Sequence, residues 1–300
     1  MRNIIYLFCL LAIMACETVV DIEIPTDKPK LVAFSLLNPD STIKIVLNKS
    51  RFILDESQFQ PVDNGIVKIV SSGNETIELE NNGSGIYISN LKPSVGKFYA
   101  LEVEAPGFES VNSSTSLPEP VEINQVELEQ RVVVREQNEY YPLYVEFKDP
   151  PEENYYQVVL YSIFLQEIPV WDYPDSFRVE EFKSLVYIEA ADPIFDDEFD
   201  YDETLLIEDA TFNGRDYRLQ LLVPRYTFEY WDSNVAYIDF QVELYHLSKD
   251  YFLFEKTSRL QNYNEDNPFA EPVPVFGNIE NGMGLFSSFN IDVESFRYER

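Results

Sequence analysis

The densest group of side chains able to do chemistry is the acidic cluster DPIFDDEFDYDE at residues 192–203. Hard cations such as calcium bind several oxygen ligands at once, which carboxylates at alternate loop positions can supply. An EF-hand loop needs glycine at its sixth position, whereas Tyr201 stands there. A solvated acidic loop is therefore favoured over a weak calcium site or a contact for a basic partner. The alternating carboxylates are Asp196, Glu198, Asp200 and Asp202.

A second candidate is the cysteine that ends the apolar run at residues 4–15. Arg2 precedes the run, as in a secretory signal, and the run is too short to span a bilayer. The sequence IMAC at residues 13–16 resembles a bacterial lipobox. We therefore predict that the signal is removed and that the Cys16 thiol carries a diacylglyceryl group, which anchors the protein to a membrane.

Catalytic motifs are missing from the sequence. Cys9 is lost with the signal, so the mature chain keeps neither a thiol nucleophile nor a disulfide, and its one histidine is His246. Gly-x-Ser-x-Gly, P-loop and His-Glu-x-x-His patterns are absent. Among 53 acidic residues a pair of carboxylates is always available, so such a pair indicates nothing. We predict a protein that is not an enzyme and has no cofactor, weak calcium apart.

Charge excludes one class of partner. The chain has 53 acidic and 22 basic residues, which gives a net charge of −31. Nucleic acids need clustered Lys and Arg, so we predict no nucleic-acid binding. An anionic membrane surface is also disfavoured, which leaves the lipid as the means of attachment.

Two aromatic stretches are candidates for binding a small molecule, a peptide or a glycan. IPVWDYPDSF at 168–177 carries Trp171, Tyr173 and Phe177 in what the two prolines predict to be a loop. Trp231 stands beside an acidic residue in FEYWDSN. Exposed aromatics next to carboxylates suit stacking on sugars or docking to a protein. The simpler interpretation is that both tryptophans fill the ends of a β-sandwich.

Short strand patterns fill most of the chain. Apolar residues alternate with polar ones at Ile43, Ile45 and Leu47, and again at Leu143 and Val145. Turn sequences rich in Asn and Gly separate such runs, which is typical of β-sandwiches. We predict a mainly β fold with two β-sandwich domains, immunoglobulin- or transthyretin-like, and one short helix.

Prolines and composition give the domain boundaries. Two prolines in STSLPEPVEI separate the two sets of strand patterns. Ser248 is a suitable N-cap for the helix. The predicted parts are a signal peptide (1–15), a lipid-anchored tether (16–30), an N-terminal sandwich (31–117) and a C-terminal sandwich (118–300) with its helix near 248–262.

The segment NPFAEPVPVFGNIENGMGLFSSFN at 267–290 resembles a signature of the family known as domain of unknown function 4249. Other stretches match in order, namely CETVVDIEIP, LVAF, APGF, LPEPVEI, KDPPEENYYQV and HLSKDYFLFEK. The resemblance implies a β-rich lipoprotein of Bacteroidota encoded beside TonB-dependent outer-membrane receptors, and it supplies no catalytic residue. The glycines of the segment predict a structural turn rather than a phosphate cradle.

The resemblance also bears on location. In that phylum acidic residues after the lipidated cysteine resemble a cell-surface signal, and Glu17 and Asp21 match it in part. The cell surface is thus favoured over the periplasmic face of the outer membrane. We predict a non-enzymatic outer-membrane lipoprotein that is an accessory or ligand-capture component of a TonB-dependent transport system. The alternatives are a surface hydrolase that uses two carboxylates, and an adhesin or structural module of the cell envelope.

Overall fold

The computed structural model describes residues 28–52, 55, 57–73, 75–170, 173–191, 204–229, 235–265 and 270–298. Within these ranges lie nineteen strands and two α-helices, so the predicted mainly β class is confirmed. The strands are β1 (Leu31–Leu37), β2 (Lys44–Lys49), β3 (Gln60–Pro61), β4 (Ile66–Ser71), β5 (Thr76–Glu78), β6 (Glu80–Asn81), β7 (Ile86–Ile88), β8 (Phe98–Glu104), β9 (Val111–Ser116), β10 (Ile123–Leu128), β11 (Val133–Arg135), β12 (Asn138–Lys148), β13 (Tyr155–Val170), β14 (Tyr173–Val186), β15 (Glu189–Ala190), β16 (Thr204–Glu208), β17 (Asp216–Pro224), β18 (Val235–Leu247) and β19 (Met283–Arg297). The helices are α1 (Tyr226–Glu229) and α2 (Lys249–Glu265).

The first core lies between two sheets in the N-terminal part of the chain. One sheet contains β1, β2, β6, β7 and the first half of β19, and the other contains β4, β5, β8 and β9. Ile45 and Leu47 of β2 are fully buried, while Lys44 points outward. The period of two in the sequence therefore marks the buried face of the strand, as expected for a sandwich.

The second core has the same construction. A sheet of β13, β14, β18 and the second half of β19 packs against a sheet of β10, β12, β15 and β17. Leu143, Val145 and Phe147 alternate along β12 and are fully buried. Phe147 packs against Tyr156 of the facing sheet, with the ring centroids 5.1 Å apart. Aromatic side chains thus fill much of this core.

Strand β19 connects the two sandwiches. Its first half pairs in parallel with β1, from Val32↔Met283 to Leu37↔Ser288, and its second half pairs antiparallel with β18. One continuous ten-stranded sheet results. The predicted C-terminal sandwich includes all of 118–300, whereas Ile279 and Phe286 pack in the first core. The two units therefore share a strand.

Helix α2 lies on the outer face of this continuous sheet. Ser248 caps it, since its Oγ lies 3.4 Å from the backbone N–H of Tyr251 and accepts from it. Phe252 packs on Tyr155, with ring centroids 4.7 Å apart, and Phe254 contacts Phe34 of β1 at 5.8 Å. The predicted helix near 248–262 is therefore present and contacts both halves of the sheet.

The described residues on either side of positions 171 and 172 are paired strands, so the prediction of a loop is wrong for 168–170 and 173–177. β13 continues to Val170, and β14 begins at Tyr173. Pro169 is accommodated because the pairing shifts register beside it, and a bulge is a site where sheets tolerate proline. The last buried residues are Ser162 on β13 and Val186 on β14. Residues 163–170 and 173–185 extend beyond the core, and we call them the hairpin arm.

Candidate functional site

A buried polar network lies where the linker between the sandwiches meets β13 and β18. The Nδ1 of His246 is 2.7 Å from the carbonyl oxygen of Glu119, and its Nε2 is 2.9 Å from Oδ1 of Asn154. The imidazole also stacks on the ring of Tyr156, with centroids 5.2 Å apart. His246 therefore holds the linker to the second sandwich.

Asn154 is held in one orientation by its neighbours. Its Nδ2 donates to the carbonyl oxygens of Pro150 at 3.1 Å and Glu152 at 2.7 Å. Its backbone N–H donates to Oδ2 of Asp209 at 2.8 Å. Because the amide nitrogen faces these acceptors, the amide oxygen must face His246. The loop at 150–154 is thus fixed against β18.

Asp149 continues the network on the core side. The hydroxyl of Tyr156 donates to its Oδ1 at 2.5 Å, and the backbone N–H of Gly214 donates to its Oδ2 at 2.7 Å. Burial raises the pKa of the Asp149 carboxyl and that of the Tyr156 hydroxyl. Both carboxylate oxygens accept bonds from the fold itself, which gives this acidic residue a structural role.

A cleft of about 740 Å³ opens between the sandwiches beside this network. Phe98 and Tyr155 supply apolar lining, and Lys249 and Glu153 supply charges. Nζ of Lys249 lies 3.1 Å from a carboxylate oxygen of Glu153, so these two charges are paired with each other. The volume is in the range of small-molecule sites, and the cleft has room for such a ligand.

The glycine-rich segment before β19 is a structural clamp. Oδ1 of Asn278 accepts from the backbone N–H of Phe286 at 2.9 Å, and its Nδ2 donates to the carbonyl of Phe286 at 2.8 Å. Nδ2 also donates to Asp250 of α2 at 2.8 Å, and Ser113 of β9 donates to the carbonyl of Asn278 at 2.9 Å. The segment joins β9, β19 and α2. The polar groups named here already bond within the protein, which fits the predicted structural turn rather than a phosphate cradle.

The buried network around His246 should make the stability of the protein depend on pH. Burial lowers the pKa of His246 below its ordinary value of 6.5. The Glu119 carbonyl and Oδ1 of Asn154 oppose this shift, because a neutral ring can donate to only one of these two acceptors and the protonated ring to both. The unfolded chain then takes up a proton at a higher pH than the folded chain. We expect the unfolding free energy to fall as the pH drops below about 6.5, by up to about 1.4 kcal/mol per pH unit.

His246→Gln is the matched variant, because an amide does not titrate. Its unfolding free energy should fall less steeply between pH 7 and 5 than that of the parent, measured by urea denaturation. The chain has one histidine, so its NMR titration reports this pKa without ambiguity. Parallel pH profiles, or a titration at or above the ordinary value, would contradict the expectation.

The hairpin arm exposes two apolar side chains on one strand. Phe177 and Val179 are 58% and 59% exposed on β14. On the other face Phe164 stacks on Phe182, with ring centroids 5.5 Å apart, which stiffens the arm. Apolar side chains exposed together on one strand are typical of interaction surfaces.

The predicted functional residues fall in different places. Tyr173 begins β14 and Phe177 lies on the same strand. Trp171 and Trp231 lie outside the described residues, as do Cys16 and the acidic positions Asp196, Glu198, Asp200 and Asp202. Across the described ranges no group of three or more His, Cys, Asp or Glu is placed to hold a metal ion. Neither helix in those ranges has the length and apolarity needed to cross a bilayer.

The exposed position of Val179 and the polar network around His246 were not predicted from the sequence. Phe177 and Val179 alternate with charged residues in FRVEEFK, which is typical of a strand. The nearby prolines, however, predict a loop. Asn154 and Glu119 are far from His246 in the sequence, and no local sequence pattern indicates that they contact it.

The profile of one protein family, "Domain of unknown function (DUF4249)", matches residues 17–295, which confirms the predicted family. The comparison with curated proteins finds no match. Three similar solved structures are two fibronectin type-III domains of chicken tenascin (13% identity, TM-score 0.20, 73% of this chain and 91% of that one), the major pilin SpaD of Corynebacterium diphtheriae (12%, 0.19, 75% and 62%) and the B domain of a biofilm-associated protein (8%, 0.20, 91% and 87%). At these TM-scores the likenesses carry no argument about function.

Proposed function

The chain belongs to the DUF4249 family, and on that premise we propose that it is a non-enzymatic, lipid-anchored protein of the outer membrane, on its cell-surface side. There it is an accessory or ligand-capture component of a TonB-dependent transport system. The lipobox-like sequence that ends at Cys16 supports the anchor. The resemblance stated above supports the transport context.

The hairpin arm is the observation that carries this proposal. Two apolar side chains, Phe177 and Val179, are more than half exposed on a strand that extends past the core. Transferring such side chains from water into a protein interface is favourable by about 25 cal/mol per Å² of apolar surface. The arm therefore has what a partner-binding surface needs.

The buried titratable groups support the non-enzymatic part of the proposal. Asp149, Asp209 and His246 all bond to groups of the fold. A general acid or base must instead reach a substrate atom. Residues engaged in this way suit a rigid binding protein with a fixed junction between its sandwiches.

A pull-down of the full-length protein from its native outer membrane in mild detergent tests the proposal. We expect a TonB-dependent barrel to co-purify in a fixed ratio, as identified by mass spectrometry. The double variant Phe177→Asp, Val179→Asp should reduce its recovery at least about tenfold, because charges replace apolar contacts.

Val134→Asp is the matched control, since Val134 lies on β11 and is 66% exposed. It introduces one carboxylate, against two in the double variant, on another exposed strand and should leave recovery of the barrel unchanged. If the parent protein purifies alone, the transport proposal is wrong. Equal recovery with all variants would instead show that the arm is not the contact.

A further inference from the structure

β14 is unusually long for a strand at the edge of a sheet. It is 14 residues long and pairs with β13 from Val186 to Phe177 and again at Tyr173, and within the described ranges nothing pairs with its other side. The strands at the other sheet ends, β5, β6, β9, β10 and β15, have two to six residues. Native proteins usually keep edge strands short, because free backbone N–H and C=O groups recruit another strand.

The usual means of blocking an edge are absent from most of β14. From Phe177 to Val186 its pairing with β13 is regular, without a bulge. No proline or glycine occurs between Asp175 and Val186. Charged side chains are the remaining feature of β14 that can oppose pairing with another strand. Their order along β14 determines which strands they repel.

That order is self-complementary about Val179. If a second β14 is placed antiparallel with the two Val179 residues opposite each other, Arg178 of each copy stands opposite Glu180 of the other. Opposite charges that face each other on neighbouring strands are favourable. Lys183, the other cation of the strand, is held by Glu243 of its own chain.

A neighbouring register fits less well. Centring the pairing on Phe182 places Glu181 opposite Lys183, but Arg178 then stands opposite the buried Val186. Centring it on Glu180 or Glu181 places two carboxylates directly opposite each other. The register about Val179 is therefore the one that the charges of β14 select.

We propose that β14 pairs antiparallel with β14 of a second copy of this chain, about a twofold axis at Val179. The backbone groups of both edges are then satisfied, and the two sheets become continuous. Arg178 already lies 2.9 Å from Glu180 of its own chain, so the axis would be flanked by four alternating charges. Pairing uses the strand edge and leaves the faces free, which places the two Val179 side chains side by side, while Phe177 of each copy stands opposite Glu181 of the other.

The mass of the purified full-length protein in mild detergent, without any barrel, tests the proposal. Light scattering over a concentration series up to about 100 μM should show a monomer–dimer equilibrium. A salt concentration of about 150 mM screens the long-range repulsion between acidic chains. Arg178→Glu should raise the dissociation constant at least about tenfold, because symmetry turns two attractive pairs into two repulsive ones.

Two variants and a control sharpen the result. Arg178→Glu with Glu180→Arg should restore the dimer, and Val179→Cys should give an oxidised, disulfide-linked dimer, because directly opposite residues are close enough to bridge. Arg131→Glu is the control: Arg131 is 62% exposed and pairs with Glu129, much as Arg178, 63% exposed, pairs with Glu180. It should leave the dimer unchanged.

Several results would overturn the proposal. They are a monomer at all concentrations, a dimer insensitive to Arg178→Glu, a double variant that fails to restore pairing, or a Val179→Cys protein that does not cross-link. The measurement uses purified protein alone, so its outcome is separate from that of the pull-down.

Discussion

Gly284→Ala is expected to lower the unfolding free energy by about 2–6 kcal/mol. Gly284 has a φ of +108°, a backbone conformation that residues with a side chain rarely adopt. An added Cβ would also collide with the backbone carbonyl of Ala33 on β1, opposite which Gly284 is paired. Backbone atoms cannot move aside as a flexible side chain can. The loss is a large fraction of the about 5–15 kcal/mol by which a typical domain is stable.

Gly83→Ala provides the matched control for this prediction. Gly83 also has a positive φ, +85°, but no atom lies within 4 Å of the position of its added Cβ. We expect a loss of only about 1–2 kcal/mol there, since the backbone term acts alone. Urea denaturation of both variants measures the difference. Equal losses would show that the approach of β19 to β1 is not what requires glycine.

Cys16→Ser is expected to release the protein from the membrane completely. Each buried methylene of an acyl chain contributes about 0.8 kcal/mol, and two or more chains give stable anchoring. The chain itself is strongly acidic, with a net charge of −31, so it has no electrostatic attraction to an anionic bilayer. Without the lipid, only binding to a protein of the membrane could retain the chain, and an alkaline wash removes that contribution.

Cell fractionation followed by an alkaline wash, which strips proteins held only by other proteins, measures this release. The other cysteine gives the control, because Cys9 lies inside the apolar run and is lost if the predicted signal is removed. Cys9→Ser should leave the protein in the membrane pellet. A Cys16→Ser protein that stays in the washed pellet would contradict the lipid anchor.

The hairpin arm is a segment whose secondary structure could not be predicted from the sequence alone. Prolines at 169 and 174 predicted a loop, yet both lie in strands. Pro169 sits beside a shift in register, and β14 is an edge strand, whose outer N–H groups need no partner in the sheet. Proline is a reliable stop signal only in a central strand, and the sequence does not tell which strand is central.

The sequence by itself determined the mainly β class, alternating strands such as β2 and β12, the helix with its Ser248 cap, the family and the prediction of a lipid anchor. Each of these depends on neighbours within a few residues, such as alternation, a capping side chain or a short motif. Tertiary structure alone decided the path of β19 through both sandwiches, the bonds of His246 to Glu119 and Asn154, and the free edge of β14. Pairing between distant segments depends on complementarity of whole surfaces, which leaves no local periodicity in the chain.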